Sequence, residues 1–142
     1  MGATNSVNDI LSDNIYISCL ENDQNAELLC TLLRNQGYNV MNLYHFNTDV
    51  DSLTKSVQHV LSKTMCVMVC ITEKTVRSFH QIIEMNNILD SSKKVIYLMT
   101  EEGFTPDTNI DLQRFIKQNT WFPAYDESTI HYTISQINDI LQ

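Results

Sequence analysis

The side chains best suited to chemistry are few, and their spacing removes most of the usual reactions. Four histidines (His45, His59, His80, His131) and four cysteines (Cys19, Cys30, Cys66, Cys70) are the natural metal ligands and nucleophiles. The histidines are scattered with no i, i+4 pair, and no CxxC or Cys/His cluster has zinc spacing, so no metal is expected. Cys66 and Cys70 lie in the apolar run Met65–Ile71. In a strand, four residues set them ~13 Å apart at ~3.3 Å per residue, beyond the ~4.4–6.8 Å that a disulfide spans. The cysteines therefore read as buried, reduced thiols. The three glycines, Gly2, Gly37 and Gly103, form neither a P-loop nor a G-x-G-x-x-G turn, and no G-x-S-x-G elbow is present. The start Met1-Gly2-Ala3-Thr4-Asn5-Ser6 fits the pattern for N-myristoylation at Gly2. A single acyl chain would give weak membrane attachment, since no polybasic patch follows it.

Composition narrows the partners. The 142 residues suit one domain, and 17 acidic against 9 basic side chains give a net charge of −8. That balance excludes a nucleic-acid binder, whose binding free energy comes largely from Lys and Arg on phosphates. No apolar run approaches the ~20 residues of a transmembrane segment. The polar first residues give no sign of a secretory signal, and no Asn-x-Ser/Thr sequon occurs. Together with reduced thiols, these features point to a cytoplasmic protein.

The elements that must position any site follow from periodicity. Asn14–Leu20 reads as a strand; Asp23 then offers an N-cap. Leu28, Leu29, Leu32 and Leu33 recur at helical period, and Gly37 supplies the stop. Tyr38–Leu43 reads as a second strand. The polar loop Tyr44–Asp51 leads to a helix with Leu53, Val57, Val60 and Leu61 on one face. Met65–Ile71 is apolar without alternation, as expected of a parallel strand covered on both faces. Ser78 and Gln81 form a capping box before a helix carrying Phe79, Ile82, Ile83, Met85, Ile88 and Leu89. Val95–Met99 is a fourth strand, Asn109–Lys117 a short helix, and Trp121-Phe122-Pro123 a brief fifth strand held to an edge or an end by Pro123. Ile130, Ile134, Ile137 and Leu141 mark the last helix. Residues 1–12 read as a flexible N-terminal segment and 13–142 as the domain. Strands alternating with helices predict an α/β fold: a flavodoxin-like, doubly wound, five-stranded parallel sheet flanked by helices. Sites in such sheets gather at the carboxyl ends of the strands, here the loops after Leu20, Leu43, Ile71 and Thr100.

One phosphoacceptor arrangement on this fold, the response-regulator receiver, needs clustered acids after the first strand, an Asp ending the third and a Lys ending the fifth. Glu21 and Asp23 are present, but the third strand runs into Thr72-Glu73 and no Lys follows Trp121-Phe122. A different resemblance is specific. Tyr16-Ile17-Ser18-Cys19-Leu20-Glu21-Asn22-Asp23 resembles the first-strand box of Toll/interleukin-1 receptor (TIR) domains, matching at Ile17, Ser18 and Asp23. Val67–Thr72 followed by Ser78-Phe79-His80-Gln81-Ile82-Ile83-Glu84 is similar to the family's Ser-x-Trp-Cys-x-x-Glu helix start. Ser78 and Glu84 keep the spacing, while His80 and Gln81 replace Trp and Cys. The resemblance spans roughly residues 12–142. It departs in the loop after the second strand, where His45, Phe46, Asp49 and Asp51 stand without the Arg-Asp and Pro-Gly elements of the family's BB loop.

The resemblance implies two mechanisms. TIR domains associate homotypically to relay immune or cell-death signals, which makes TIR proteins, this chain included, the expected partners and His45, Phe46, Asp49 and Asp51 the expected interface. Some TIR domains also hydrolyse NAD⁺, here as substrate and not as cofactor, at the nicotinamide–ribose bond. The resemblance assigns that catalysis to Glu84, with Ser18, Leu20, Arg77, Ser78 and His80 around the substrate. Nicotinamide leaves as a neutral group, so one carboxylate suffices to stabilise the oxocarbenium-like centre and orient water. The competing reading of Glu84 is a solvated or hydrogen-bonded helix residue. A third outcome is a non-catalytic decoy that blocks the assembly of partner TIR domains. Few cations are available for a pyrophosphate: the arginines are Arg34, Arg77 and Arg114.

Overall fold

Side chains on one strand point alternately to opposite faces of its sheet, and this chain uses both. The computed structural model describes residues 14–43, 49–105, 110–116 and 121–141. Strands β1 (Asn14–Ser18), β2 (Asn39–Met41), β3 (Cys66–Ile71), β4 (Lys94–Met99) and β5 (Trp121–Pro123) form one parallel sheet in the order β2-β1-β3-β4-β5. Between them run α1 (Gln24–Asn35), α2 (Val50–Ser62), α3 (Phe79–Asp90), α4 (Ile110–Ile116) and, after β5, α5 (Glu127–Leu141). Ile15, Ile17, Met68, Cys70, Ile96 and Leu98 face α1 and α5, where Leu29, Leu33, Ile130, Ile134 and Ile137 meet them. Tyr16, Val67, Val69, Ile71, Tyr97 and Met99 face the other helices, through Leu53, Val57, Met85, Ile88 and Phe115. Hence β3 is apolar at every position: all six residues are buried. Each Val, Met or Ile among them contributes ~1.5–3 kcal/mol on leaving water, and two helical layers are needed to collect it.

The ends of the elements differ from the expected ones in informative ways. β1 stops at Ser18, whose partner is Val69, and Cys19 and Leu20 enter the turn closed by Asp23 N–H on the Leu20 carbonyl at 3.2 Å. β2 is shorter than Tyr38–Leu43 and lies at one edge; β5 is the other edge, and Pro123 ends it opposite Met99. Short edge strands limit unwanted pairing. α1 ends as its glycine predicts. Gly37 adopts φ +97°, and the Gly37 and Tyr38 N–H groups return to the Arg34 and Leu33 carbonyls at 3.0 and 3.2 Å. A 3₁₀ turn, Thr75–Arg77, precedes α3 and escapes the periodicity reading because it is too short to show one. The expected loop Tyr44–Asp51 is shorter at its far end, because Asp49 caps α2 by accepting from Ser52 N–H at 2.8 Å.

Candidate functional site

The carboxyl ends of the strands carry a cleft of about 1060 Å³, bounded by Cys19, Leu20, Asp23, Ser78, His80 and Thr100 among others. Its rim is laced by polar bonds that the turn sequences supply. Asp23 caps α1 through Ala26 N–H at 3.0 Å, and its other oxygen accepts from the Thr100 hydroxyl at the end of β4. Asn25 donates to the carbonyls of Thr100 and Tyr125, at 2.9 and 3.0 Å, and so joins α1 to the ends of β4 and β5. Burial raises the Asp23 carboxyl above its ordinary value, while the bonds from Thr100 and Ala26 pull it back. Cys19 also lines the cleft; burial raises its thiol, and Cys30 and Asp23 raise it further, so it stays protonated. The ionisable lining is mostly acidic: Glu21, Asp23, Glu101 and Glu102 face Lys74 and His80.

Beneath this floor sits a buried polar cluster centred on Glu84, whose side chain is 1 % exposed. The α3 cap brings it there. Ser78 accepts from Gln81 N–H at 3.1 Å and starts the helix at Phe79, which puts Glu84 in the second turn, on the face turned to the sheet. The tyrosine hydroxyl of Tyr16 donates to one Glu84 oxygen and the Ser18 hydroxyl to the other at 3.2 Å. Burial pushes the carboxyl up to about 7, and the Tyr16 and Ser18 bonds restrain that rise. Half of the expected capping box is spent elsewhere. The Gln81 amide, fully buried, donates to the Cys70 carbonyl at 2.8 Å and the Ser18 carbonyl at 3.3 Å, tying together the ends of β3 and β1. His80, 26 % exposed, spans the two zones: it lines the cleft, and its Nε2 lies 3.5 Å from Glu84. Burial lowers its pKa, and the polarity of the Leu43 carbonyl opposes that.

The residues singled out in the sequence thus fall into several places. Leu20, Ser78 and His80 line the cleft, whereas Ser18 and Glu84 lie under it. Arg77 is outside the lining, 65 % exposed and paired with Glu73; Lys74 is the basic side chain in the wall. Asp49 and Asp51 are exposed at the start of α2. Gly2, His45 and Phe46 lie outside the described residues. Among the described residues no group of three His, Cys, Asp or Glu could hold a metal ion. Three members of the site were missed as such: Tyr16, Gln81 and Asn25. Tyr16 was within reach, because residues 16 and 18 of one strand share a face. The targets of Gln81 and Asn25 are backbone carbonyls, which leave no mark in a sequence.

No family model matches the sequence, and no curated protein matches it. Among solved structures the chain is similar to the TIR domain of the Toll-related receptor TRR-2 from Hydra magnipapillata. The TM-score is 0.67 at 11 % identity, over 89 % of this chain and 96 % of that one. The likeness is one of fold: a five-stranded parallel sheet flanked by helices, covering nearly all of both chains.

Proposed function

We propose that this chain, which has the TIR fold, is a cytosolic TIR-type signalling module that acts by associating with other TIR domains, itself included. The observation that carries the reading is the withdrawal of Glu84. A carboxylate that stabilises a ribosyl cation must face the ligand, yet this one is 1 % exposed and accepts from Tyr16 and Ser18, while His80 lines the cleft. A carboxyl raised to about 7 is also a poor source of negative charge at neutral pH. The cleft wall adds to this, since Glu21, Glu101 and Glu102 against Lys74 disfavour a pyrophosphate. With the hydrolase reading weakened, association is the function that the fold best supports. The buried, unpaired state of Cys19, Cys30, Cys66 and Cys70 supports the cytosolic setting.

The deciding experiment pairs two measurements on the full chain. Sedimentation velocity across a wide concentration range is expected to show reversible self-association. Nicotinamide release from NAD⁺ is expected to stay at background and to be the same for wild type and Glu84→Ala. Release that disappears in Glu84→Ala restores the hydrolase reading. A chain that stays monomeric yet binds another TIR domain is the decoy, and one that does neither overturns the proposal.

A further inference from the structure

The end of the sheet opposite the cleft holds another cavity, of about 600 Å³, between the end of α3, the start of β4 and the end of α5. Ile88, Leu89, Val95, Ile96, Phe122 and Ile140 give it apolar walls. Leu89 and Ile140 are 49 % and 37 % exposed, so apolar surface that a ligand would cover still faces water. The polar side chains of the lining are already engaged with the protein's own backbone. The Ser91 hydroxyl donates to the Ile88 carbonyl and the Tyr97 hydroxyl to the Phe115 carbonyl, each at 2.7 Å. Lys93 Nζ donates to the Thr64 carbonyl at 2.8 Å and Lys94 Nζ to the Ile140 carbonyl at 3.5 Å, which leaves the lysine stems to the wall. Such a groove favours a ligand with no polar group to satisfy, and the simplest of these is an alkyl chain.

The chain's own start supplies one, since Met1-Gly2-Ala3-Thr4-Asn5-Ser6 fits the N-myristoylation pattern. We propose that Gly2 is N-myristoylated and that its acyl chain folds back into this groove, so that the protein covers its own lipid. Hydrolysis of the Met1–Gly2 peptide bond frees the Gly2 amine. The amine attacks the carbonyl of a myristoyl thioester presented by a transferase. The amide C–N bond forms, the C–S bond breaks, and the thiol leaves with the proton that the amine gives up. Water and the thioester are the co-reactants, and no oxidant or reductant takes part.

Topology brings the modified end and the groove to the same side of the molecule. The strands are parallel, so the chain enters β1 at Asn14 on the side where β4 begins. Ile15 pairs with Cys66 and Cys66 with Lys94, which sets these three in one row across the sheet. Two strand spacings of ~4.8 Å place Lys94 ~10 Å from Ile15. Residues 2–13, outside the described part, span up to ~40 Å at ~3.3 Å per residue, so length does not limit the reach. A tether of this size gives an effective concentration on the order of millimolar. The competing solvent for the acyl chain is a bilayer. It competes poorly here, because one myristoyl chain binds it only reversibly and a net charge of −8 is repelled by anionic headgroups. The groove lies at the far end of the strands from the cleft and serves the chain whether or not it assembles, so this goes beyond the function proposed above.

The full chain, produced with and without an N-myristoyltransferase, tests this, with Gly2→Ala as the unacylated control. Intact mass is expected to show one myristoyl group on wild type and none on Gly2→Ala; a wild-type chain that the transferase leaves bare overturns the proposal. The methyl resonances of Ile88, Leu89, Val95, Ile96 and Ile140 are expected to shift on acylation and to show NOEs to the acyl chain, while those of Leu20 at the cleft stay in place. Groove methyls that do not move overturn it, and this readout needs no variant of the groove. Flotation with neutral phosphatidylcholine vesicles reads the same equilibrium from outside. Acylated wild type is expected to bind about tenfold less than acylated Leu89→Glu or Ile140→Glu, because binding scales with the fraction of chains whose lipid is free. Both side chains are exposed, so neither charge enters the core. Equal binding by all three puts the acyl chain in the bilayer and overturns the groove. Methyl shifts that vanish on dilution put it in the groove of a second copy, which overturns the folding back. Sedimentation of the same samples separates the two proposals. Groove shifts in a chain that never associates remove the assembly reading alone, and association without groove shifts removes the lipid groove alone.

Discussion

Glu84→Gln should stabilise this protein, and only at high pH. The carboxyl titrates at about 7 in the fold against an ordinary value of 4.5. Between those values the folded chain holds a proton that the unfolded chain has lost, so stability falls as pH rises through this window and levels off above it. One pKa unit corresponds to about 1.4 kcal/mol, which makes ionisation of this side chain cost ~3 kcal/mol of stability at about pH 8. The glutamine keeps the shape and the bonds: its oxygen accepts from Tyr16, and its N–H can meet the Ser18 hydroxyl or His80 Nε2. It cannot ionise. The variant should therefore exceed wild type by ~2–3 kcal/mol near pH 8 and match it within about 1 kcal/mol near pH 5. His80 works in the opposite sense. Its lowered pKa costs stability as pH falls through its unfolded value, and that loss, present in both proteins, drops out of the difference. Urea unfolding followed by circular dichroism reads the quantity directly, with the slope on denaturant expected to be unchanged. A difference that is the same at both pH values would refute the buried, proton-holding carboxyl, as would a glutamine variant less stable than wild type at high pH.

Two further perturbations probe the same end of the sheet. Tyr16→Phe removes the hydroxyl that donates to Glu84 and should cost about 1–3 kcal/mol, more at high pH, where the acceptor is charged; equal cost across pH in urea unfolding contradicts this. Asp23→Ala removes both the α1 cap and the acceptor for Thr100. It should cost about 1–2 kcal/mol and speed amide exchange at Ala26 and in the first turn of α1; unchanged exchange there would show the cap to be idle.

Much of the scaffold was legible from local patterning. The leucines of α1, the isoleucines of α5 and the unbroken apolar run of β3 each carry a period of one element. Asp23, Ser78 and Gly37 announce ends through bonds to residues a few positions away. The reading slipped where an element is too short to have a period, as in β2 and the 3₁₀ turn, and where one residue had two roles open to it. Gln81 in a capping-box position turns instead to the ends of β1 and β3.

Glu84 shows where the division falls. The sequence by itself determined that a glutamate follows Ser78 at the spacing that puts it in the second turn of a capped helix, because helix geometry needs only neighbours. It also determined that Tyr16 and Ser18 share one face of a strand. Only the tertiary structure decided that these two residues, 68 and 66 positions away in the chain, close over that carboxylate, and that His80 takes the place at the cleft. Burial and charge depend on what packs across the sheet from distant segments, and no local period records that.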